Sequence, residues 1–247
     1  MSPSPARRRP SAGGYARGEE TRLRIVQAAM ELFGAQGYER TSTREIAARA
    51  GVNPPALQYY FDSKEGLYLA CAEYMVARGR ELLEPVLVEA RGHLERASEV
   101  DDLIEAVCLV HDRIADLLLI SSELDAWSRF MAWEESDIGG APAIACQVIE
   151  QGVKQEIRGV LCELIGRITG KSADDPETLV RMLTLGGQVS VFHLGRAKYE
   201  MRVSPLGWPL LDEDGVARIR AIVRQQTKAA LRAAAVKPPK GRRPDER

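Results

Sequence analysis

The apolar residues of this chain recur at the three-to-four-residue spacing of amphipathic helices, and no segment alternates like a strand. Ile25, Ala29 and Phe33 share one face of the first such segment, and Gly37 follows as a helix-ending residue. A long helical pattern then starts near Ser63, and Pro85 is expected to kink or divide it. Further helical segments are predicted at 101–120, 121–135, 142–169, 174–199 and 212–234. The pattern predicts an all-α protein of about nine helices, with a small N-terminal bundle and a larger C-terminal one.

Two short helical patterns lie between Ser42 and Phe61. Ser42 and Glu45 have the spacing of a capping box at the start of the first. Gly51 can take the left-handed turn that ends it, and Asn53 can cap a second helix. Helices this short depend on tertiary packing, so the pair predicts a helix-turn-helix motif.

The second short helix has two different faces. At about 100° per residue, Leu57 and Phe61 point to one side together with Pro54. The opposite side carries Pro55, Gln58 and Tyr59, with Ala56 and Tyr60 at its flanks. Glutamine can pair with adenine, small apolar groups can contact thymine methyls, and tyrosine hydroxyls can reach phosphates. The outward face therefore fits the major groove of DNA.

The two adjacent prolines change how such a helix can hold a phosphate. Helix N-termini usually offer free backbone N–H groups to anions, and Pro54 and Pro55 remove two of them. Lys64 lies in the first turn of the next helix, where a cation opposes the helix dipole and an external anion would remove the conflict. Side chains must therefore supply the phosphate contacts, and the nearest candidates are Thr43, Arg44, Tyr59, Tyr60 and Lys64.

The stretch "TREIAARAGVNPPALQYYFDSKEGLY" resembles the DNA-binding signature of the tetracycline-repressor (TetR) family. "AAMELFGAQGYERTS" is similar to the preceding helix of that family, so the resemblance covers about residues 21–68. Gln58 departs from the pattern, which usually has tyrosine there, and either a phosphate or a base edge fits this position. The matching positions are Ile46, Ala47, Ala50, Gly51, Val52, Leu57, Tyr60, Phe61, Lys64 and Leu67.

The resemblance implies a homodimeric repressor that places two recognition helices in successive major grooves of a palindromic operator. It also implies a C-terminal domain with a small-molecule pocket, whose ligand swings the helix after Lys64 and releases the DNA. The implied domains are a helix-turn-helix domain at 19–66 and an effector-binding and dimerisation domain at 67–236. The candidate DNA-contacting residues are Thr43, Arg44, Asn53, Pro54, Pro55, Ala56, Gln58, Tyr59, Tyr60 and Lys64.

Charge is distributed unevenly along the chain. Residues 1–65 hold ten Lys and Arg against seven Asp and Glu, and residues 237–247 hold five against two, whereas the whole chain has a net charge of −1. A basic end on an acidic body suggests a polyanionic partner for that end. We interpret residues 1–18 as a flexible basic arm and residues 237–247 as a disordered basic tail.

The C-terminal part offers two helices for a dimer interface. The segment from Leu179 to Arg196 is apolar around much of its circumference, and the last helix offers a second stripe. We expect dimerisation through helices at about 174–199 and 212–234, with an intrachain core as the alternative. The stripe predicted on the last helix is Ile219, Val223, Gln226 and Ala230.

A looser resemblance extends into this part of the chain. "GQVSVFHLGRAKYEMRVSPLGW" and "RFMAWEESDIGGAPAIACQVIEQGVKQEIRGVLCELIGRITG" resemble the CecR-type C-terminal domain of one TetR branch. That resemblance implies a regulator of export or stress genes that responds to a xenobiotic or antibiotic-like compound.

Aromatic residues at helical spacing suggest an effector pocket. Trp127, Phe130, Met131 and Glu134 form an aromatic stripe that ends in a carboxylate. Such stripes also occur in ordinary cores, so a core role is the alternative. The full set of predicted pocket residues is His111, Trp127, Phe130, Met131, Trp133, Glu134, Phe192 and His193.

Other classes of function have little support. The sequence has no nucleophile, base or metal-ligand constellation, and the four cysteines show no C-x-x-C pair, so we expect no enzyme activity, cofactor or metal. The cysteines are interpreted as reduced core thiols, with a redox switch as the alternative. A helical adaptor without DNA binding is a second alternative. No apolar run is long enough to span a membrane, and no secretory signal is present, so we expect a cytoplasmic protein.

Overall fold

A computed structural model describes residues 12–96, 99–119, 126–127, 129–130, 140, 142–194 and 213–236, and every regular element in these ranges is helical. The all-α prediction is confirmed. The first helices are α1 (Ala12–Gln36), α2 (Thr43–Arg49), α3 (Pro54–Tyr60) and α4 (Lys64–Glu95). α1 thus begins within the segment that we expected to be a flexible arm.

The remaining helices follow after α4. They are α5 (Val100–Leu119), α6 (Ala143–Ile149), a π-helical segment (Glu150–Lys154), α7 (Gln155–Thr169), α8 (Pro176–Leu194) and α9 (Glu213–Ala234). Of the two effects expected at Pro85, a division of the helix is wrong, because α4 continues through this residue, and the kink stays a prediction. Most of the helix predicted at 121–135, and the tail at 237–247, lie outside the described residues.

The chain divides into two compact units. The first contains Met1–Met75 and Arg129–Val148, and the second contains Val76–Ser128 and Ile149–Arg247. The predicted functional boundaries at residues 18, 66 and 236 stay predictions. Within the described ranges, no helix is both long enough and apolar enough to cross a membrane.

The first unit has its core under α1, α2 and α3. Ile25, Phe33 and Ile46 are almost fully buried, and Leu57 and Phe61 anchor α3 from the inward face that the helical spacing predicted. α2 contacts both α1 and α3. Because α2 and α3 have only seven residues each, this burial supplies stability that the helices lack alone.

An aromatic cluster extends the same core. Phe33 lies edge-on to Tyr68 with ring centroids 4.9 Å apart, and Tyr38 lies edge-on to Tyr68 at 5.1 Å. Phe130 stacks on Tyr68 at 4.4 Å. Such pairs add roughly 0.5–1.5 kcal/mol each beyond their area burial, so the cluster helps to position the start of α4.

The second unit is built around α5, which packs on α7, α8 and α9. Its apolar side chains, including Leu103, Val107 and Val110, are buried against residues of α7 and α8. Cys108 and Cys162 belong to this core, and burial raises the pKa of the Cys108 thiol to about 11. Burial thus keeps this thiol protonated near neutral pH, as expected for a core thiol.

A ladder of ion pairs joins α5 to α9. Asp101 pairs with Arg232 at 2.9 Å, Asp116 pairs with Arg220 at 2.8 Å, and Glu105 pairs with Lys228 at 2.7 Å. The partner's number falls as the α5 number rises, so the two helices are antiparallel. Arg224 adds contacts with Glu105 and Asp112 in the middle of the ladder.

The stripe predicted on α9 is divided between core and surface. Ile219 and Val223 are buried and pack with Ala115 of α5 and Val189 of α8, so for these two the intrachain alternative is correct. Gln226 and Ala230 are exposed. The buried face of α9 is the one that packs on α5 and α8, through Val216, Ile219 and Val223, and a different apolar residue, Ile222, faces outward.

Candidate nucleic-acid interface

α2 begins with the capping box that the sequence predicted. The Ser42 hydroxyl oxygen accepts a hydrogen bond from the Glu45 N–H at 3.2 Å, and the Glu45 carboxylate accepts one from the Ser42 N–H at 2.8 Å. The Ser42 hydroxyl also donates to the same carboxylate at 2.7 Å. The two bonds to the carboxylate lower the pKa of Glu45, and the capping box satisfies the N–H groups of Ser42 and Glu45.

The turn between α2 and α3 depends on Gly51. Its φ of +65° lies in the left-handed region, where residues with a Cβ atom are disfavoured. The Val52 N–H returns to the Ala47 carbonyl oxygen at 2.9 Å and closes the turn. The turn therefore sets the angle at which α3 leaves α2.

α3 begins as expected from Asn53 and the two prolines. The Asn53 side-chain oxygen accepts a hydrogen bond from the Ala56 N–H at 2.8 Å, and Pro54 and Pro55 occupy the first two positions of the helix. Ala56 is thus the first α3 residue with a backbone N–H, and that group is already bonded. The start of this helix has little to offer an anion.

The outward face of α3 is open to solvent. Tyr59 is 84% exposed, and Pro55 and Gln58 are also exposed, whereas Ala56 and Tyr60 are half-buried at the flanks. Tyr59 and Tyr60 contact each other edge to face, with centroids 5.3 Å apart. Tyr59 and Gln58 are thus exposed side by side on a helix that Leu57 anchors from behind.

Pro54 differs from the expected inward orientation. It is exposed, as is Asn53 beside it, although the helical spacing put Pro54 on the side of Leu57. Both residues lie at the end of the helix, so the core that covers Leu57 does not reach them. Their exposure places them on the same surface as the outward face.

Lys64 has internal partners that the sequence did not reveal. Its ammonium group lies 4.3 Å from the centroid of the Tyr38 ring and donates a hydrogen bond to the Glu39 carbonyl oxygen at 3.3 Å. Partial burial lowers the pKa of Lys64, and the charge of Glu39 opposes that effect. The dipole conflict at this position is therefore relieved within the chain, without an external anion. No local signal in the sequence indicates this contact, because it joins residues 26 positions apart.

Two exposed arginines lie near the motif without acidic partners among the described side chains. They are Arg40, before α2, and Arg44, in its first turn, and Thr43 beside Arg44 is half-buried. Arg49, by contrast, pairs with Glu31 of α1 at 2.6 Å. Arg44 therefore remains available to an external anion, and Arg40 is a further exposed cation that the sequence motif does not include.

The beginning of α1 reaches the flank of α3. A Cβ atom on Gly18 would lie 3.9 Å from the Tyr60 hydroxyl oxygen. The Arg22 guanidinium lies 5.3 Å from the centroid of the Phe61 ring. The N-terminal end of α1 is therefore beside the surface that carries Tyr60.

The residues predicted for an effector pocket fall in both units. Phe130 is fully buried in the aromatic cluster of the first unit, whereas His111, Trp127 and Phe192 belong to the second. A charged concavity of about 640 Å³ in the second unit is lined by other residues, including Arg80, Glu84 and Glu156. The pocket stays a prediction. Met131, Trp133, Glu134 and the side chain of His193 lie outside the described residues.

His111 has an unusual environment for a polar side chain. It is 3% exposed, and neither ring nitrogen has a hydrogen-bond partner among the described atoms. Burial lowers the pKa of His111 to about 4 from an ordinary value of 6.5, so the ring is neutral at physiological pH. A buried imidazole without partners leaves both a donor and an acceptor available inside the second unit.

Comparisons with known families agree with this arrangement. The model of the bacterial regulatory proteins of the tetR family matches residues 25–71, which include α2 and α3. The model of the C-terminal domain of the HTH-type transcriptional dual regulator CecR matches residues 103–234.

Individual proteins show the same relationship. The HTH-type transcriptional dual regulator CecR of Shigella flexneri is 31% identical over 207 residues, which cover 84% of this chain and 89% of the relative. A transcriptional regulator from Rhodococcus sp. Rha1 shares the fold with a TM-score of 0.59 at 21% identity, covering 88% of this chain and 99% of that one. FadR from Bacillus subtilis, solved in complex with stearoyl-CoA, has a TM-score of 0.52 at 13% identity over 83% of this chain and 96% of its own.

Proposed function

This chain belongs to the tetR family of bacterial regulatory proteins, and we propose that it is a ligand-responsive repressor of transcription. In this proposal a homodimer binds a palindromic operator, and a small molecule in the C-terminal part releases the DNA. The matched families are regulators rather than enzymes. The observation that carries the proposal is α3, which is anchored by Leu57 and Phe61 and exposes Gln58 and Tyr59.

The proposed contacts follow from exposure and chemistry. Gln58 would read a base edge in the major groove, and Pro55 and Ala56 would contact thymine methyls. Tyr59, Tyr60, Thr43 and Arg44 would hold the phosphates on either side. Asn53 and Pro54 would border the DNA, and Lys64 would contact a phosphate from its position over Tyr38.

Selection of bound sequences from random DNA tests the proposal as a whole. The full chain is expected to enrich one palindrome whose half-sites lie about 10 base pairs apart, or a multiple of that spacing. Its affinity for the palindrome should fall steeply as salt rises, since phosphate contacts release counterions. Binding that enriches no sequence, or no binding at all, would favour the helical adaptor.

Gln58→Ala tests the base-reading role. Loss of one base contact is expected to relax preference at one operator position by about 1–3 kcal/mol and to leave the other positions unchanged. Gln155→Ala is the matched control, because Gln155 is an exposed glutamine in the second unit. An unchanged operator preference in Gln58→Ala would assign this residue to phosphate or to solvent instead.

Tyr60→Ala and Lys64→Gln test the phosphate contacts. Both variants should weaken binding to all DNA sequences alike, and Lys64→Gln should reduce the salt slope by about one per protomer. Lys64 also packs on Tyr38, so a thermal unfolding curve is needed to separate lost DNA contact from lost stability. A salt slope equal to that of the unsubstituted protein would remove Lys64 from the DNA contacts.

The proposed homodimer uses exposed apolar residues of α8 and α9. Val180 and Leu183 of α8 are each 60% exposed, and Val191 continues the same helical stripe past Gly187. Ile222 of α9 is 54% exposed. Such residues at helical spacing fit a self-complementary helix pair in a twofold dimer.

Sedimentation of Leu183→Glu tests this interface. The substitution buries a charge in the proposed dimer, so the variant should sediment as a monomer and lose cooperative binding to the full palindrome. Glu163→Gln, on an exposed position of α7, is the control and should stay dimeric. A dimeric Leu183→Glu variant would place the interface elsewhere.

The proposed effector can be sought by thermal shift. Acyl-CoA thioesters form one part of the panel, since FadR from Bacillus subtilis was solved with stearoyl-CoA, and hydrophobic antibiotic-like compounds form the other. A true effector should raise the melting temperature and weaken operator binding in the same concentration range. A reporter gene behind the selected operator then distinguishes repression from activation.

A further inference from the structure

Three helices of the second unit each carry a polar side chain with buried atoms that lack a partner. The helices are α5, α8 and α9, which pack on one another. Both ring nitrogens of His111, the side-chain oxygen of Gln188 and the hydroxyl oxygen of Thr227 have no hydrogen-bond partner among the described atoms. His111 is 3% exposed and Thr227 is fully buried, so bulk solvent does not reach these two side chains.

The three side chains lie at the same level of the helix bundle. The apolar residues of α5, α8 and α9 form two clusters, and each cluster has members from all three helices. Along each helix, the polar residue lies between a member of one cluster and a member of the other. His111, Gln188 and Thr227 thus form a polar layer between two apolar clusters. The flanking pairs are Cys108 and Ala115 for His111, Leu185 and Val189 for Gln188, and Leu231 and Val223 for Thr227.

The polar layer is costly for the free protein. Buried polar groups without partners have lost their hydrogen bonds to water, and apolar side chains of similar volume would avoid that cost. Valine in place of Thr227, or methionine in place of Gln188, would continue the apolar pattern of its helix. Departures from that pattern are expected where a protein binds a ligand, since ligand sites combine apolar walls with a few polar groups.

The charges around the layer indicate which class of ligand it fits. Burial lowers the pKa of His111, so its neutral ring offers one donor and one acceptor at physiological pH. Three carboxylates of α5 pair with three cations of α9, and these pairs leave no net charge for an ionised ligand. A charged group in the layer would therefore be buried without compensation. The pairs are Glu105 with Lys228, Asp112 with Arg224, and Asp116 with Arg220.

We propose that the polar layer binds a neutral small molecule with both a hydrogen-bond donor and an acceptor, such as a primary amide with an apolar substituent. The amide N–H would donate to the Gln188 oxygen or to the acceptor nitrogen of His111. Its carbonyl oxygen would accept from the other ring nitrogen or from the Thr227 hydroxyl. This inference rests on the proposed function, in which such a molecule is the effector that weakens operator binding.

The test uses probes that differ in charge and in size. Acetamide, benzamide and naphthamide are neutral amides of increasing size, and each is compared with the carboxylate and the amidine of the same carbon skeleton. Thermal shift and titration calorimetry of the full chain should show saturable binding of at least one amide. Its anionic and cationic counterparts should bind at least about tenfold more weakly, because their charges would lose solvation without gaining a partner.

Variants that remove one polar group at nearly constant volume test the residues. Thr227→Val and Gln188→Met should each weaken binding of that amide by about threefold to tenfold, and His111→Leu should weaken it further. Thr169→Val is the matched control, because the buried Thr169 hydroxyl already donates to the Ile165 carbonyl oxygen at 2.8 Å. The control should lower the melting temperature and keep the amide affinity. Thr227→Val should show the reverse, a weaker affinity without a lower melting temperature.

NMR of the imidazole groups reports where the amide binds. The chain has three histidines, and the signals that disappear in His111→Leu belong to His111. Binding in the polar layer should shift the ring nitrogen signals of His111 more than those of His93, which lies on α4. The toluene skeleton without an amide should cause no comparable shift, since it has no group to bond to the ring.

Several outcomes would overturn the inference. Equal affinity for an amide and its charged counterparts would mean that the layer does not select neutral ligands. Unchanged amide affinity in both Thr227→Val and Gln188→Met would place the ligand elsewhere, even if His111→Leu did not fold. If the chain selects an operator but binds no amide, the inference alone fails. If an amide shifts the His111 signals but the chain selects no DNA sequence, the proposed function fails and the binding site stands.

Discussion

The two units of this protein hold their helices by different means. In the first unit, α2 and α3 have seven residues each and are defined at their ends, by the Ser42–Glu45 capping box, Gly51 and Asn53. In the second unit, α5 and α9 have 20 and 22 residues and are defined along their sides, by a buried core and an ion-pair ladder. The signals that define a helix end are particular residue types at particular positions. The apolar and charged residues that define a helix side recur along the whole helix.

This difference explains which region can expose its polar and aromatic residues. A short helix that is fixed at both ends needs only Leu57 and Phe61 as anchors, so its other side chains are free to face outward. A long helix packed on several neighbours has fewer free faces. The first unit is therefore suited to contacting another molecule through exposed side chains. The second is suited to enclosing a ligand or to packing against a second copy of the chain.

The largest effect is expected where a short helix loses its anchor. Leu57→Ala removes a buried side chain from α3 and should cost about 2–5 kcal/mol of unfolding free energy, with loss of operator binding. Leu23→Ala is the control, since Leu23 is an exposed residue of α1 and its loss should cost less than about 0.5 kcal/mol. Chemical denaturation and DNA binding measure both variants. Retained operator binding in Leu57→Ala would show that the capping residues at the ends of α3 are sufficient to keep it folded without the Leu57 side chain.

The second unit should be the more sensitive to acid through His111. Burial lowers its pKa in the folded state to about 4, whereas the unfolded chain has the ordinary 6.5. The unfolded state thus binds the proton first, and stability is lost as pH falls from about 6.5 to 4, by roughly 3 kcal/mol. Denaturation curves of the protein and of His111→Leu over this pH range isolate the contribution. Parallel curves for the two proteins would contradict it.

Alanine substitutions at two glycines, one in the π-helical segment and one in α7, should change the stability of the protein in opposite directions. A Cβ atom on Gly152 would lie 2.7 Å from both Val76 methyl carbons, so Gly152→Ala should destabilise the protein by about 1–3 kcal/mol. Gly159 is exposed on α7 with open space around the same position, so Gly159→Ala should stabilise it by up to about 1 kcal/mol. Thermal unfolding compares the two. If Val76→Ala restored the stability of the Gly152→Ala protein, the loss would be due to the contact between residues 152 and 76.

A smaller effect than at Leu57 or His111 is expected at the turn of the first unit. Gly51→Ala forces a Cβ atom into a left-handed conformation and should cost about 1–2 kcal/mol, although nothing obstructs the side chain. Gly51→Asn should cost less, because asparagine tolerates this region. Unfolding free energies rank the three proteins. An equal cost for both substitutions would mean that the backbone conformation is not what selects glycine.

Most of the candidate site was predictable because its signals are local. A capping box, a left-handed glycine and a proline start each act within four residues, so Ser42, Gly51, Asn53 and Pro54 could be assigned from their neighbours alone. The contact of Lys64 with Tyr38 was not predictable in this way. It joins residues 26 positions apart, and nothing at either position specifies the other.

The sequence by itself determined the helical class, the short helices and the outward face of α3, since these depend on spacing and on residue type. Only the tertiary structure decided which face of α9 is buried and whether Pro85 breaks α4. It also placed Phe130 against Tyr68, a contact that the spacing of the aromatic stripe does not specify. Apolar periodicity shows that a helix has a buried face, but the neighbouring helices determine which side of it they cover.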